Sequence, residues 1–155
     1  MEHIRFNVFF LLQIYMAFKR ISGDDRGLIE RTISLLTLTD GMLMVYDRSN
    51  AVVIEATAAA EIDNLAGIVR GAYTTADTTV LLEPIIKGDQ YEVGTLNNSD
   101  ATHNYQRMIW GTGHTANNTG TDVAGDTGLF MQVSTLGATT DKKIIGEFTT
   151  GSVGD

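Results

Sequence analysis

The residues in this sequence best suited to chemistry are its histidines and carboxylates. His103 and His114 lie eleven positions apart, and a metal site built on them would take Asp100 or Asp122 as its third ligand. Histidines at a surface or in an interface are far commoner than such a site. We therefore interpret both histidines as surface or interface residues and predict no bound metal.

The carboxylates form no stronger pattern. Asp122 and Asp126 flank a glycine, but the alternate carboxylates and distal glutamate of an EF-hand are missing, so an acidic hairpin tip is predicted. Asp24, Asp25 and Asp40 fall in turns rather than on facing strands, which disfavours a glycosidase acid pair. The sequence also lacks a phosphate-binding glycine loop, a dinucleotide fingerprint and a nucleophile elbow. We predict a protein with no enzymatic activity and no cofactor.

Two aromatic residues are candidates for binding rather than catalysis. Trp110 is the single tryptophan, and Tyr105 precedes it within residues 102–110, which are predicted to form one strand. The two side chains would then lie on opposite faces of that strand. Trp110 can be interpreted as a core residue or, with Tyr105, as part of an aromatic surface for a ligand or partner.

Composition excludes several functional classes. The chain has 155 residues, of which 19 are acidic and 11 basic, and the net charge of −8 argues against binding to nucleic acid. The absence of cysteine excludes disulfides and thiol chemistry. An apolar content of 43% is too high for a disordered chain, and the mean hydropathy of +0.01 argues against a protein with several membrane spans. The length fits one domain.

The elements that would position these residues begin with an unusual amino-terminal segment, residues 1–20. Its apolar side chains alternate with a period of two: Ile4, Phe6, Val8, Phe10, Leu12, Ile14, Met16 and Phe18. This alternation favours a half-buried strand or extended arm, and a helix and a secretory signal are the alternatives. A translation start at Met16 is also open.

The rest of the chain alternates short apolar runs with turn residues. Strands are predicted at residues 42–46, 51–55, 66–72, 78–82, 91–93, 102–110, 129–136 and 142–148. Asp40-Gly41 predicts a hairpin turn that returns the chain into residues 42–46, whereas residues 28–38 fit either a helix or a strand, and residues 56–65 either a helix or a loop. We therefore predict a mainly β protein. Its single antiparallel β-sandwich or barrel-like domain spans residues 21–155, with an amino-terminal arm, residues 1–20, and at most one or two short helices.

Residues 42–148, about two thirds of the chain, resemble the small capsid decoration, or cement, proteins of tailed bacteriophages. The stretches that carry the resemblance are Ala66-Gly67-Ile68-Val69-Arg70-Gly71, Thr79-Val80-Leu81-Leu82-Glu83-Pro84, Gly88-Asp89-Gln90-Tyr91-Glu92-Val93, Asn97-Asn98-Ser99-Asp100-Ala101-Thr102-His103-Asn104-Tyr105-Gln106-Arg107, Asn117-Asn118-Thr119-Gly120-Thr121-Asp122 and Asp141-Lys142-Lys143-Ile144-Ile145-Gly146-Glu147-Phe148. The resemblance implies a β-rich protein without enzymatic activity. Such proteins lie on the outer capsid surface, often as trimers, and join neighbouring subunits of the major capsid protein.

We accordingly expect a virion protein whose partners are the major capsid protein and copies of itself, as a homotrimer, with neither nucleic acid nor a membrane as a partner. The candidate interface consists of Ile4, Phe6, Val8, Phe10, Leu12, Ile14, Tyr105 and Trp110. Main-chain pairing of the arm with a neighbour's sheet edge would provide the attachment. The alternative is a carbohydrate-binding or adhesion module on a virion or cell surface that uses Trp110, Tyr105 and the polar loops of residues 97–126.

Overall fold

The computed structural model describes residues 18–21, 26–56, 64–118, 128 and 130–152, and of residues 109–112 only the backbone. The described part contains eleven strands: β1 (Lys19–Arg20), β2 (Ile29–Thr32), β3 (Leu43–Asp47), β4 (Val52–Glu55), β5 (Leu65–Val69), β6 (Thr79–Glu83), β7 (Gln90–Thr95), β8 (Arg107–Thr112), β9 (Thr115–Asn117), β10 (Phe130–Thr135) and β11 (Lys143–Phe148). Two short 3₁₀ turns, Ala101–His103 and Thr139–Asp141, complete the regular structure of these residues. The predicted mainly β sandwich is confirmed.

The first sheet closes into a ring. Its strands follow the order β7-β11-β10-β8-β9, and β9 then pairs in parallel with the second half of β7, at Gly94 and Thr95. The other pairings around the ring are antiparallel. β1 occupies the first half of the same β7 edge, where Lys19 lies opposite Glu92 and Arg20 opposite Tyr91. Closure of the ring satisfies backbone groups that an open sheet would leave at its edges.

The second sheet is antiparallel throughout, with the order β2-β6-β5-β3-β4. Both faces of its central strands are buried. On β3, Leu43 and Val45 belong to one hydrophobic cluster, and Met44 belongs to another. β2 and β4 are the two edge strands of this sheet in the described part of the chain.

The larger hydrophobic cluster lies between the two sheets and contains four aromatic rings. Phe18, Tyr91, Phe130 and Phe148 pack with ring centroids between 5.1 and 5.9 Å apart. Aromatic rings prefer such mostly edge-to-face contacts. Phe18 is only 1% exposed. This first described residue is therefore part of the hydrophobic core.

Two features near the strand ends follow from local chemistry. The turn between β3 and β4 is closed by Asp47, whose carboxylate accepts hydrogen bonds from the backbone N–H groups of Ser49 and Asn50. Pro84 follows directly after β6, as expected of a residue without a backbone donor. The ambiguous residues 28–38 contain the strand β2, and most of the ambiguous residues 56–65 lie outside the described residues.

Two predictions about strands are wrong. Asp40 and Gly41 do form a turn, but the strands on either side of it do not pair with each other, because β2 pairs with β6 and β3 pairs with β4 and β5. The predicted strand over residues 102–110 begins only at Arg107. The segment before it instead forms the Ala101–His103 turn, with Asp100 as its amino-terminal cap.

Candidate interaction surface

One loop presents an exposed aromatic side chain on a backbone that hydrogen bonds hold in place. We call residues 97–106 the Tyr105 loop. It connects β7 to β8, and its tyrosine is 74% exposed. The loop lies outside regular strands, yet buried side-chain amides hold it at two points.

Asn118 holds the first half of the loop. Its Nδ2 group donates to the carbonyl oxygens of Asn97, at 3.1 Å, and of Asn98, at 2.9 Å. Its Oδ1 atom accepts a hydrogen bond from the Asn97 N–H group at 2.9 Å. Since Asn118 is buried, these bonds are shielded from competition with water.

Gln132 holds the second half. This fully buried residue of β10 donates from Nε2 to the Asp100 carbonyl oxygen, at 2.7 Å, and to Asn104 Oδ1, at 2.8 Å. Its backbone carbonyl accepts the Tyr105 N–H group at 2.7 Å. The loop is thus tied to the closed ring on both sides of the exposed tyrosine.

The backbone of Tyr105 is strained. Its φ angle is 67°, in the left-handed region that residues with a Cβ rarely adopt. Such conformations persist only where the surroundings impose them, and they concentrate at functional sites. We interpret this strained backbone, which carries an aromatic side chain that is 74% exposed, as a candidate binding surface.

The other exposed residues of the Tyr105 loop and its start are mostly polar, and one is acidic. Leu96, Asn97 and Asn98, at the start of the loop, are exposed. The Asp100 side chain accepts the Thr102 N–H group at 2.8 Å, and this bond lowers the pKa of Asp100. The loop therefore offers a tyrosine ring, amide groups and the charged Asp100 carboxylate. This combination suits a protein or carbohydrate partner.

The two histidines occupy different parts of the first sheet. His103 lies in the 3₁₀ turn of the loop, and its buried Nδ1 atom has no hydrogen-bond partner within the described residues. His114 lies in the turn between β8 and β9, where burial lowers its pKa and the Glu55 carboxylate acts in the opposite direction. The described residues contain no group of three histidine or carboxylate side chains that could hold a metal ion, and Asp122 and Asp126 lie outside them.

The other predicted interface residues divide into two groups. Ile4, Phe6, Val8, Phe10, Leu12 and Ile14 lie outside the described residues. Trp110 belongs to β8, where its backbone lies opposite Ala116, and its side chain is not described. Tyr105 precedes β8, so the prediction that it shares a strand with Trp110 is wrong.

The point at which the arm joins the body is described. The Phe18 N–H group donates to the Gly41 carbonyl oxygen at 3.0 Å, and the phenylalanine ring packs in the aromatic cluster. β1 follows at once and pairs with β7. Any segment that precedes Phe18 is therefore attached to the core of the protein.

The buried charges between the sheets are paired. Glu83, which is 7% exposed, forms ion pairs with Arg20 at 2.9 Å and with Arg70. Arg26 pairs with Asp89 and also donates to the Pro84 carbonyl oxygen at 3.1 Å. Because each carboxylate has an arginine partner, we interpret this cluster as a structural link between the sheets.

The hydroxyl group of Tyr91 lies near this charge cluster. Its pKa is raised, mainly because the group is buried, and the Glu83 and Asp89 carboxylates add to the effect. The hydroxyl has no hydrogen-bond partner among the described residues. Tyr91 therefore stays neutral and contributes its ring to the core.

A second surface, which sequence reasoning missed, lies where the edges of the second sheet approach each other. β2 and β4 come within 8 Å between Cα atoms but share no ladder of hydrogen bonds. Between them is a depression of about 240 Å³ lined by Glu30, Arg31, Thr32, Tyr46, Ala51, Val52, Val53 and Thr79. We call this the β2–β4 seam. Arg31 Nε donates to the Tyr46 hydroxyl at 2.7 Å across its inner side.

One residue that holds the Tyr105 loop had a signal in the sequence. A glutamine between Met131 and Val133 in an apolar strand indicates a buried amide with a specific partner, and this pattern identifies Gln132. The seam had no such signal, because it depends on the curvature that brings two edge strands together.

No described segment forms a helix long and apolar enough to cross a membrane. Comparison with protein-family models and with curated proteins finds no match for this chain.

Proposed function

We propose that this chain is a structural capsid decoration protein. It binds the outer surface of a phage head and stabilises contacts between subunits of the major capsid protein, without a catalytic step. The observation that carries the proposal is Tyr105, an exposed aromatic side chain on a strained backbone that buried amides hold in place. Because the backbone at Tyr105 is already held, binding through this residue does not need to order the loop, and tyrosine is common among interface anchors.

The attachment of the arm supports the same role. A protein that joins capsid subunits must transmit force between its contacts. Here Phe18, the first described residue, is buried in the aromatic cluster, and β1, which follows it, is paired with β7. A load applied to the chain at Phe18 would therefore be carried by the aromatic cluster and by the pairing of β1 with β7.

The proposal is tested by binding to phage heads assembled without this chain. Tyr105→Ala should lower the affinity for such heads at least tenfold. This corresponds to a loss of about 1.4 kcal/mol of binding free energy, as expected when an anchor residue is truncated. Gln106→Ala is the matched control, because it truncates the adjacent exposed side chain. Equal affinities of the two variants and the unaltered protein would contradict the role of Tyr105.

A second variant tests the arm. A chain that begins at Met16 keeps Phe18 and β1 but lacks Ile4, Phe6, Val8, Phe10, Leu12 and Ile14. We expect it to occupy heads less fully and to protect them less against heat. Unchanged occupancy and unchanged thermal stability of the heads would show that the arm takes no part in attachment.

The alternative function is carbohydrate binding, and the neighbourhood of Tyr105 favours it over other ligand classes. The ring lies in a loop with exposed Asn97 and Asn98, and sugars are commonly bound by an aromatic ring beside amide groups. A glycan array distinguishes the functions. Specific glycan binding that is lost in Tyr105→Ala or Trp110→Ala would support the alternative, and an array without signal together with binding to heads would support decoration.

A further inference from the structure

One exposed leucine of the second sheet lies on a strained backbone. Leu35 belongs to the loop that follows β2, and its side chain is 77% exposed. Its φ angle is 53°, in the left-handed region where a bulky side chain is an outlier. Glycine or asparagine would adopt this conformation at a lower cost, and asparagine would also suit the exposure to water. Leucine at this position therefore indicates a contact that buries its side chain.

Two neighbouring segments form the surface around this leucine, and we call it the Leu35 surface: residues 33–38 and residues 72–78. At one end, the Ile33 N–H group donates to the Thr78 carbonyl oxygen at 3.0 Å. At the other end, Leu38 and Tyr73 exchange backbone hydrogen bonds of 3.0 and 2.9 Å. The two segments thus lie side by side and present one continuous surface.

The Leu35 surface is fixed to the body of the protein. The Tyr73 hydroxyl group donates to the Arg70 carbonyl oxygen at 2.9 Å and accepts the Leu81 N–H group at 3.0 Å. Leu36, the neighbour of the exposed leucine, packs against the hydrophobic cluster that contains Met44. Binding through this surface therefore does not need to order its backbone first.

The charge of the surface indicates its partner. Asp77 is the one charged residue of the Leu35 surface, and its carboxylate is engaged in its own turn, where it accepts the Thr74 N–H group at 2.7 Å. The whole chain carries a net charge of −8, so two copies repel each other. The repulsion is smallest when the copies meet through nearly neutral surfaces. A nearly neutral surface on a strongly acidic protein therefore favours a second copy as the partner.

The polar groups of the surface are suited to pairing with themselves. Most of its exposed polar side chains carry a hydroxyl group: Ser34, Thr37, Thr74, Thr75 and Thr78. A hydroxyl group both donates and accepts hydrogen bonds, so two identical hydroxyl-rich surfaces can bond to each other. Surfaces rich in carboxylates or in ammonium groups cannot do so. Such self-complementarity is what a two-fold contact between identical subunits requires.

We propose that the Leu35 surface binds the same surface of a second copy of this chain about a two-fold axis. Leu35 of each copy is buried in the contact, and the surrounding hydroxyl groups bond across it. Because both copies use the same surface, the contact gives a dimer, in contrast to the homotrimer that the resemblance implies. The inference does not depend on the proposed binding to phage heads, since it concerns two copies in free solution.

Leu35→Asn tests the contact without disturbing the fold, because asparagine tolerates the left-handed region better than leucine. At concentrations where both proteins are monomeric, the variant should have a Tm at least as high as that of the unaltered protein. Its dimer should nevertheless dissociate at least tenfold more readily in sedimentation or light scattering.

Ile86→Asn is the matched control. Ile86 is 53% exposed, lies between β6 and β7 and does not have a positive φ angle. This variant should dimerise as the unaltered protein does. Equal weakening in both variants would overturn the proposal, and so would an unaltered protein that is a monomer at every soluble concentration or a trimer.

Single cysteines provide a covalent test, because the chain has none of its own. Ser34→Cys, Thr37→Cys and Thr75→Cys sample the Leu35 surface and leave the leucine in place. A disulfide needs Cα atoms within about 7 Å of each other, so the position nearest the two-fold axis should react best. On mild oxidation, at least one variant should form a disulfide-linked dimer fivefold faster than Thr140→Cys, which is exposed in the Thr139–Asp141 turn. Equal rates in all four variants would refute the contact.

The response to salt distinguishes this contact from one held by ion pairs. Salt screens the repulsion between two acidic copies, whereas the nearly neutral Leu35 surface offers no attraction for it to screen. Dimerisation should therefore become stronger as sodium chloride is added. Weaker dimerisation at high salt would show that charged surfaces hold the copies together.

The outcomes for the dimer and for the proposed function are separable. If Leu35→Asn leaves self-association unchanged but Tyr105-dependent binding to heads is observed, only the dimer contact is removed. If Leu35-dependent dimers form but the protein does not bind heads, only the decoration function is removed.

Discussion

Two substitutions of Tyr105 test its backbone conformation. Which of the two variants is the more stable depends on whether the φ angle is positive. Tyr105→Ala and Tyr105→Gly both remove the ring, so the comparison of these two variants isolates the backbone. At a φ angle of 67°, a residue with a Cβ incurs a penalty of about 1.5 kcal/mol that glycine avoids. Glycine in turn loses about 0.75 kcal/mol more conformational entropy on folding than alanine.

The left-handed penalty is the larger of the two. We therefore expect Tyr105→Gly to be more stable than Tyr105→Ala by about 0.75 kcal/mol, equivalent to roughly 2 °C in Tm for a chain of this size. Urea denaturation followed by Trp110 fluorescence measures the difference, provided that both variants have the same m value. Affinity for phage heads should be equally low in the two variants, since neither has the ring.

The adjacent residue provides the control. Gln106 is exposed and does not have a positive φ angle. Gln106→Gly should therefore be less stable than Gln106→Ala, by about 0.5–1 kcal/mol. If glycine is the less stable residue at both positions, Tyr105 is not held in the left-handed region and the argument for a strained anchor fails.

Three further predictions concern the interior. Gln132→Met removes two buried hydrogen bonds with little change in volume and should cost about 2 kcal/mol in urea denaturation, whereas Gln106→Met on the surface should stay within about 0.5 kcal/mol; equal effects would contradict the structural role of the buried amide. Gly146→Ala would force a Cβ into an aromatic ring and should cost about 1–3 kcal/mol, whereas Gly27→Ala, with nothing within 4 Å of its Cβ, should not; a stable Gly146→Ala would argue against the packing of the ring. Burial lowers the pKa of His114 from 6.5, so the folded state binds this proton less readily than the unfolded chain, and the stability from neutral His114 is lost as the pH falls below about 6.5. His114→Gln should therefore lose less stability than the unaltered protein between about pH 7.5 and 5.5, and parallel pH profiles would show that this residue does not contribute.

The parts of the fold that were predictable from the sequence are those with local causes. The turn before β4 depends on the Asp47 carboxylate and the two residues that follow it within three positions. The end of β6 depends on Pro84. In both cases the residues that determine the structure are neighbours in the sequence, so composition and spacing were sufficient.

The parts that were missed depend on pairing between distant segments. Asp40-Gly41 has the chemistry of a hairpin turn. However, Leu38 before the turn forms a bridge with Tyr73, and β3 after it pairs with β5, so the two flanking segments do not pair with each other. The parallel contact of β9 with β7 likewise has no local signature. Alternating side chains predict that a strand exists, and they do not identify its neighbour.

The candidate site shows the same division. Tyr105 was identified by its residue type, but its backbone conformation depends on Gln132, which is 27 residues away in the sequence. Asp100 before Ala101-Thr102-His103 is a capping signal. It could have predicted a helical turn here and therefore a later start for β8. The β2–β4 seam could not be found from the sequence, because it exists only after the second sheet curves.

The place of β1 in the ring has a consequence for synthesis on the ribosome. The second sheet consists of strands from residues 29–83, so its pairings can form as soon as that part of the chain has emerged. β1 emerges earlier but pairs with β7, and its neighbouring Phe18 packs against Phe148 of β11. β1 therefore lacks its strand partner until β7 has been translated, and Phe18 lacks the Phe148 ring until β11 has been translated. A nascent chain halted after β6 lacks both of these partners, so proteases should cut near Phe18 more readily in it than in the full chain.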